Sequence, residues 1–151
     1  MFAAAHFITF AGHRCETLHG HNYRTGVTLE GALDEEGWYV LDFSLVKGGM
    51  RRVCDEIDHK VLLPLENSKL GIATHDASVA VDYLGKPRYV FPAEECALLA
   101  IPNTTVEMLA RYLAKRLLTE LGTANTAHLT AIEMEVEESF GQSAIYRELL
   151  G

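Results

Sequence analysis

His19 and His21 stand on either side of a single glycine, Gly20. In an extended segment, residues two apart project from one face, so both rings can reach the same ion. Gly20 leaves the opposite face bare. Three imidazoles with one coordination position open is the arrangement of a catalytic zinc, and His6 can supply the third ring. A lone histidine near a strand end more often just takes a hydrogen-bond partner, but this pair has Cys15 four residues upstream. As a fourth ligand that thiol would close the site and make it structural. Off the metal it would be a nearby base, acidified by cationic neighbours. Residue types and spacing leave both uses open.

Other positions carry chemistry only in the right surroundings. Asp58-His59 is a commonplace pair that becomes meaningful if His59 faces Cys15, where it could take or give a proton. In the segment Leu129–Glu138, Ile132, Met134 and Val136 form an apolar face, with Glu133, Glu135 and Glu137 opposite. Glu138 continues the apolar side. A buried unpaired carboxylate is costly, so either the strand opens into a pocket at Glu138 or it frays before that point. Glu107 is accounted for by helix capping alone, as the last residue of Thr104-x-x-Glu107.

The elements that must position these groups follow from periodicity. From His19 to Glu30, His19, His21, Tyr23, Val27 and Leu29 share one face, while Asn22, Arg24, Thr28 and Glu30 share the other, which predicts a half-buried strand. The turn Leu33-Asp34-Glu35-Glu36-Gly37 leads to a second expected strand, Trp38 to Phe43. Asp42 or Ser44 can cap a helix running to about Ile57, although Gly48-Gly49 weakens it. A second helix starts near Thr104, repeats Leu109, Tyr112, Leu113, Arg116 and Leu117 at helical spacing, and stops at Gly122. Leu129 to Glu138 is a final strand, with Ser143 to Leu149 a short closing segment. This order does not alternate as a parallel fold would, so the expected class is α+β with an antiparallel sheet. The stretch from about Glu66 to Ile101 stands apart, with a hairpin of Val79–Tyr83 and Arg88–Phe91 around Leu84-Gly85-Lys86-Pro87. It reads as a surface excursion, or alternatively as a lid or subunit contact.

The chain, residues 1–151, is expected to form one domain with a core of its own. A net charge of −8 argues against nucleic acid or an anionic membrane as partner, and no apolar run is long enough to span a bilayer. The opening Met1-Phe2-Ala3-Ala4-Ala5-His6 lacks the form of a secretory signal. Cys15, Cys54 and Cys96 are odd in number and lack C-x-x-C spacing, which points away from disulfides and towards a reducing cytoplasm.

Taken in order, Phe2-Ala3-Ala4-Ala5-His6, Gly12-His13-Arg14-Cys15-Glu16-Thr17-Leu18-His19-Gly20-His21-Asn22-Tyr23, Leu41-Asp42-Phe43, Asp58-His59, Thr105-Val106-Glu107, and Glu138 eight residues before Tyr146 form a pattern. It closely resembles the 6-pyruvoyltetrahydropterin and 6-carboxytetrahydropterin synthase superfamily. The resemblance covers residues 2–65 and 102–147. The C-x-x-x-H-G-H spacing is similar to the bacterial 6-carboxytetrahydropterin branch of the queuosine pathway, since the pyruvoyl branch usually has a longer gap.

That resemblance implies a tunnelling fold: a four-stranded antiparallel sheet with two helices on one face. Subunits would join sheets into a barrel, commonly as a homohexamer of two trimers, with sites between subunits. It implies zinc on His6, His19 and His21, with Cys15 as proton acceptor and Asp58, His59 and Glu138 as a relay. Thr105 and Glu107 would contact the pterin. The implied reaction takes 7,8-dihydroneopterin triphosphate to 6-carboxy-5,6,7,8-tetrahydropterin with loss of triphosphate and acetaldehyde. The alternatives are a stop at the 6-pyruvoyl product, or a zinc-binding oligomer without this activity. Lys47, Arg51 and Lys60 are the cations considered for the triphosphate. Two features depart from the family pattern, namely the long excursion after His59 and the short leading strand.

Overall fold

A computed structural model describes residues 1–151. The chain opens with β1 (Phe2–His6), the short pair β2 (Thr9–Phe10) and β3 (Arg14–Cys15), and the long strand β4 (His19–Gly31). The alternation expected of β4 is present, with Tyr23 fully buried and its even-numbered neighbours exposed. The expected strand from Trp38 to Phe43 does not form. The Asp34 carboxylate accepts from the backbone N–H groups of Glu36 and Gly37, and Asp34 N–H donates to the Tyr39 carbonyl. Trp38 N–H donates to the Asp34 carbonyl and the Val40 carbonyl pairs with the His128 ring, so these groups are engaged in a local turn and a side-chain contact and not in a ladder. Instead α1 (Phe43–Asp55) begins at once, capped by Asp42, whose carboxylate accepts from Ser44 N–H at 2.6 Å. Gly48-Gly49 lies inside this helix without breaking it. A Cβ at Gly49 would come within 3.0 Å of the Leu117 side chain, so the glycine permits a close approach to the second helix.

The chain then runs through β5 (Lys60–Pro64), β6 (Leu70–His75), β7 (Ser78–Tyr83), β8 (Lys86–Pro92) and β9 (Cys96–Leu99). It continues as α2 (Val106–Leu121), a single helical turn α3 (Thr123–Thr126), and the hairpin β10 (Leu129–Ser139) and β11 (Gln142–Leu149). The cap of α2 is Thr105, which accepts from Met108 N–H, and not Thr104. Thr104 is fully buried and its hydroxyl donates instead to the Phe7 carbonyl, a tertiary bond that outweighs the local box pattern. Gly122, at φ 76°, ends α2 as expected.

The main sheet has the order β11-β10-β4-β1-β5-β9. Its first four strands are the four-stranded antiparallel block that the resemblance implies, and β5 and β9 extend it in parallel. The two helices bury Val53, Ile57, Leu109, Leu113 and Leu117 against Tyr23, Ile132, Met134 and Val136. The excursion holds the expected hairpin, β7 with β8, together with a third strand, β6. It is anchored, since Val79 and Val81 are buried with Phe7 and Leu63 in a second apolar cluster.

Candidate metal and substrate site

The antiparallel register of β1 and β4 sets His6 opposite His19 and Ala4 opposite His21. All three histidines lie on the Tyr23 face of the sheet. Their ring centroids are 4.9 to 5.2 Å apart, and their ligand nitrogens lie within 4.8 Å of one another. His6 is 2% exposed. Its Nδ1 is 2.8 Å from the Thr104 carbonyl, and His19 Nδ1 is 2.8 Å from the Thr17 carbonyl. A carbonyl only accepts, so Nδ1 carries the proton on both rings and Nε2 is left as the free lone pair. Burial lowers the His6 pKa, and the neighbouring His19 and His21 add to that; the Thr104 carbonyl opposes it. The neutral imidazole that results is the form that binds a metal.

Two carboxylates flank the cluster. The strand does not fray at Glu138: the pairing of β10 with β11 shifts register between Glu137 and Ser139, so Glu138 sits in a bulge. Its Oε2 is 3.9 Å from His21 Nε2. Of its neighbours, only Glu135 is freely exposed. Glu133 accepts from Arg147, and Glu137 accepts from Gly141 N–H at 3.0 Å. On the other side, Glu16 Oε2 is 3.9 Å from His19 Nε2 and accepts from Ile8 N–H at 3.1 Å. The Tyr23 hydroxyl is buried with no hydrogen-bond partner, and the ring packs 5.6 Å from His21. Burial first, and then Glu138 and Glu16, push its phenol far above the usual range, so it stays a neutral donor. Three imidazoles between two carboxylates suit a divalent cation.

Cys15 is not among the grouped ligands. It is half-buried on β3, donates to the Glu16 carbonyl at 3.6 Å, and packs against the second apolar cluster. Burial raises its pKa, with Arg88 opposing and Glu16 adding to the rise. Asp58 accepts from Ala3 N–H at 2.8 Å and from His59 Nδ1 at 2.9 Å. The Ala3 bond, followed by that from His59, holds its carboxyl below the usual range. The His59 side chain is 81% exposed and borders a shallow groove at the paired strands β1 and β4, lined by Ala3, Ala4, Ala5, Gly20, His21 and Asn22. Within one chain the pair makes no hydrogen bond to Cys15. Thr105 is half-buried and Glu107 exposed at the start of α2, directly after the residue that holds His6. Lys47 and Arg51 line a groove of about 420 Å³ with Met1, Thr25 and Cys54, which includes none of the histidines, and Lys60 binds the Glu94 carbonyl. Sequence reasoning gave Thr104, Glu16 and Tyr23 no part in the site, and it read Thr104 as a helix cap. Only Tyr23 carried a signal, as the next residue along the inward face of β4.

The family model for 6-pyruvoyl tetrahydropterin synthase matches residues 1–149. A Methanocaldococcus jannaschii protein assigned provisionally as a 6-carboxy-5,6,7,8-tetrahydropterin synthase is 35% identical over 99% of this chain and 90% of its own length. The crystal structure of 6-pyruvoyl tetrahydropterin synthase from Plasmodium vivax superposes with a TM-score of 0.90 at 32% identity, covering 99% of this chain and 91% of that one. Its Plasmodium falciparum counterpart gives 0.91 at 31%, with the same coverage. Two further P. vivax structures carry alanine or cysteine in place of a glutamate described as catalytic.

The lowered pKa of His6 gives a pH dependence of stability. Below about pH 6.5 the unfolded chain takes up a proton that the folded chain resists, so the metal-free protein loses stability as pH falls through that range. His6→Asn, which keeps a donor for the Thr104 carbonyl, should flatten this loss. Thermal unfolding of metal-stripped protein at about pH 7.5 and 5.5 tests it, and an equal drop in Tm in both proteins would contradict the assignment.

Proposed function

The chain belongs to the 6-pyruvoyl tetrahydropterin synthase family, and from that premise we propose that it is a zinc-dependent lyase acting on 7,8-dihydroneopterin triphosphate. Its products are 6-carboxy-5,6,7,8-tetrahydropterin, triphosphate and acetaldehyde, as an intermediate step towards queuosine in the cytoplasm. The observation that carries this reading is the cluster of His6, His19 and His21 with Glu16 and Glu138 each 3.9 Å from a ring nitrogen. The C-x-x-x-H-G-H spacing and the M. jannaschii relative support the 6-carboxy product.

Zinc on the three histidines would polarise the substrate's side-chain oxygens and lower the pKa of a hydroxyl placed there. Cys15 moves protons at the substrate side chain. Glu16 is its adjacent partner in that work, and a catalytic glutamate in the P. vivax relative supports the role. Glu138 accepts a proton or hydrogen bond at the opposite side of the centre, with the neutral Tyr23 hydroxyl beside it. Thr105 and Glu107 bind the pterin, a carboxylate suiting the N–H and amino donors of its pyrimidine edge. Asp58 and His59, with the His59 side chain exposed and unbonded to Cys15 of the same chain, serve the site of a neighbouring subunit in a homohexamer built from trimers. The open edges β11 and β9 are consistent with sheets joined between chains. The likeness to the P. vivax synthase favours a second reading, in which the reaction stops at the 6-pyruvoyl product after loss of triphosphate. Incubation with dihydroneopterin triphosphate separates the two: the first releases acetaldehyde, the second does not, and no turnover by zinc-loaded protein would contradict both.

Zinc content follows from the ligand set. His19→Ala should lose most of the metal while Cys15→Ala keeps about one ion per chain; a Cys15→Ala protein without zinc would make the thiol a ligand. Glu138→Gln should lower turnover by a factor on the order of 10² or more with zinc retained, whereas the exposed Glu135→Gln changes it little. Equal activities in those two variants would reduce Glu138 to a surface charge. Light scattering at micromolar concentration should report a hexamer, and a stable monomer would remove the interfacial site.

A further inference from the structure

The excursion grips the segment that carries Cys15 and Glu16. Lys69 Nζ donates to the Phe10 carbonyl at 2.7 Å, and Asn67 donates to the Thr9 hydroxyl at 2.9 Å, so the short ribbon of β2 and β3 is tied down from below β6. The Tyr89 hydroxyl accepts from Leu18 N–H at 3.2 Å, one residue before His19, while its ring packs 5.2 Å from Phe7. Between these, Arg88 on β8 donates from a terminal guanidinium nitrogen to the Glu16 carbonyl at 2.9 Å. The same carbonyl receives the Cys15 thiol.

Arg88 is held in place before it makes that bond. Its guanidinium carbon lies 5.3 Å from the Tyr89 ring centroid and 6.0 Å from that of Tyr83. Its Nε is buried with no partner, and so is the Tyr83 hydroxyl. Burying a guanidinium with an unmet donor is unfavourable, and a purely structural role would be filled as well by an apolar side chain. The Glu16 carbonyl accepts from both the guanidinium and the Cys15 thiol, which brings the charge to the thiol's own partner, and Arg88 opposes the rise that burial gives the thiol's pKa.

We propose that Arg88 is a positioning residue of the active site: the inserted sheet delivers its guanidinium to fix the Glu16 carbonyl and to set a positive charge against the Cys15 sulfur. The excursion is then neither a passive surface feature nor a lid but the support of the proton-transfer segment. This extends the lyase reading given above, in which Cys15 moves protons, although the arrangement of Arg88, Glu16 and Cys15 stands without it.

The test reads the thiol directly. Alkylation of Cys15 by iodoacetamide at neutral pH, followed by mass spectrometry of its peptide so that Cys54 and Cys96 do not interfere, reports how readily the thiolate forms. Arg88→Met should slow it by about three- to tenfold with zinc content and Tm retained. Arg88→Gln, neutral but able to fill the buried polar position, should slow it equally and decides the matter if the methionine variant does not fold. Arg88→Lys should restore the rate to within about twofold, because the charge returns. With dihydroneopterin triphosphate, kcat should fall in the neutral variants while KM is held. Alkylation in a folded neutral variant as fast as wild type, or faster, would overturn the proposal. If the wild-type enzyme does not turn over the substrate, the lyase reading fails, and the alkylation series still decides the role of Arg88.

Discussion

Antiparallel pairing between β1 and β4 is the constraint on which the rest of the site depends. The register joins Phe2 to Tyr23, Ala4 to His21 and His6 to His19, and it is fixed by burial. A slip by one residue would turn Phe2, Ala4 and His6 to the outer face and expose the Phe2–Tyr23 stack, whose ring centroids are 4.7 Å apart. The apolar part of the strand pair therefore holds the polar part in alignment. Three histidines separated by up to fifteen positions in the chain meet because Phe2, Ala4 and Tyr23 belong to the core.

Around that register the other elements act as supports. The loop before α2 gives the Thr104 carbonyl to His6 and the Thr104 hydroxyl to Phe7, which locks the turn leaving β1. The bulge in β10 turns Glu138 towards His21 at the place where the regular ladder ends. The excursion holds the segment from Thr9 to Leu18 through Asn67, Lys69, Arg88 and Tyr89. The Tyr23 hydroxyl beside His21 and Arg88 Nε beside the Glu16 segment are buried without partners. Such unmet donors are a feature of functional sites more than of structural cores.

What the sequence made legible was periodic. Alternation was enough to put His19, His21 and Tyr23 on one face and to carry Glu138 towards the core side, because both properties are local to a strand. The helix boundaries at Asp42 and Gly122 were equally local. Misreadings came where a side chain had a stronger partner elsewhere. Trp38–Phe43 looked like a strand, but Trp38 and Tyr39 pair with the Asp34 backbone in a turn and the helix cap begins at Asp42. Thr104 looked like a cap until its hydroxyl met Phe7, 97 positions away. Glu137 looked like a residue on the face opposite the core, yet it closes the hairpin turn by accepting from Gly141 N–H. The support given by Arg88 to Glu16 spans 72 positions and leaves no trace in spacing. The exposure of His59 could not be read either, since the pair follows a helix end and His59 takes a positive φ of 56°.

The central claim is that strand register builds a three-histidine centre that leaves the thiol free for chemistry. X-ray absorption at the zinc K-edge of the metal-loaded protein tests it most directly. Three nitrogen neighbours at about 2.0–2.1 Å with a further light atom and no sulfur are the result this account predicts. A sulfur neighbour at about 2.3 Å would contradict it, because Cys15 would then close the site and leave no open position for a substrate.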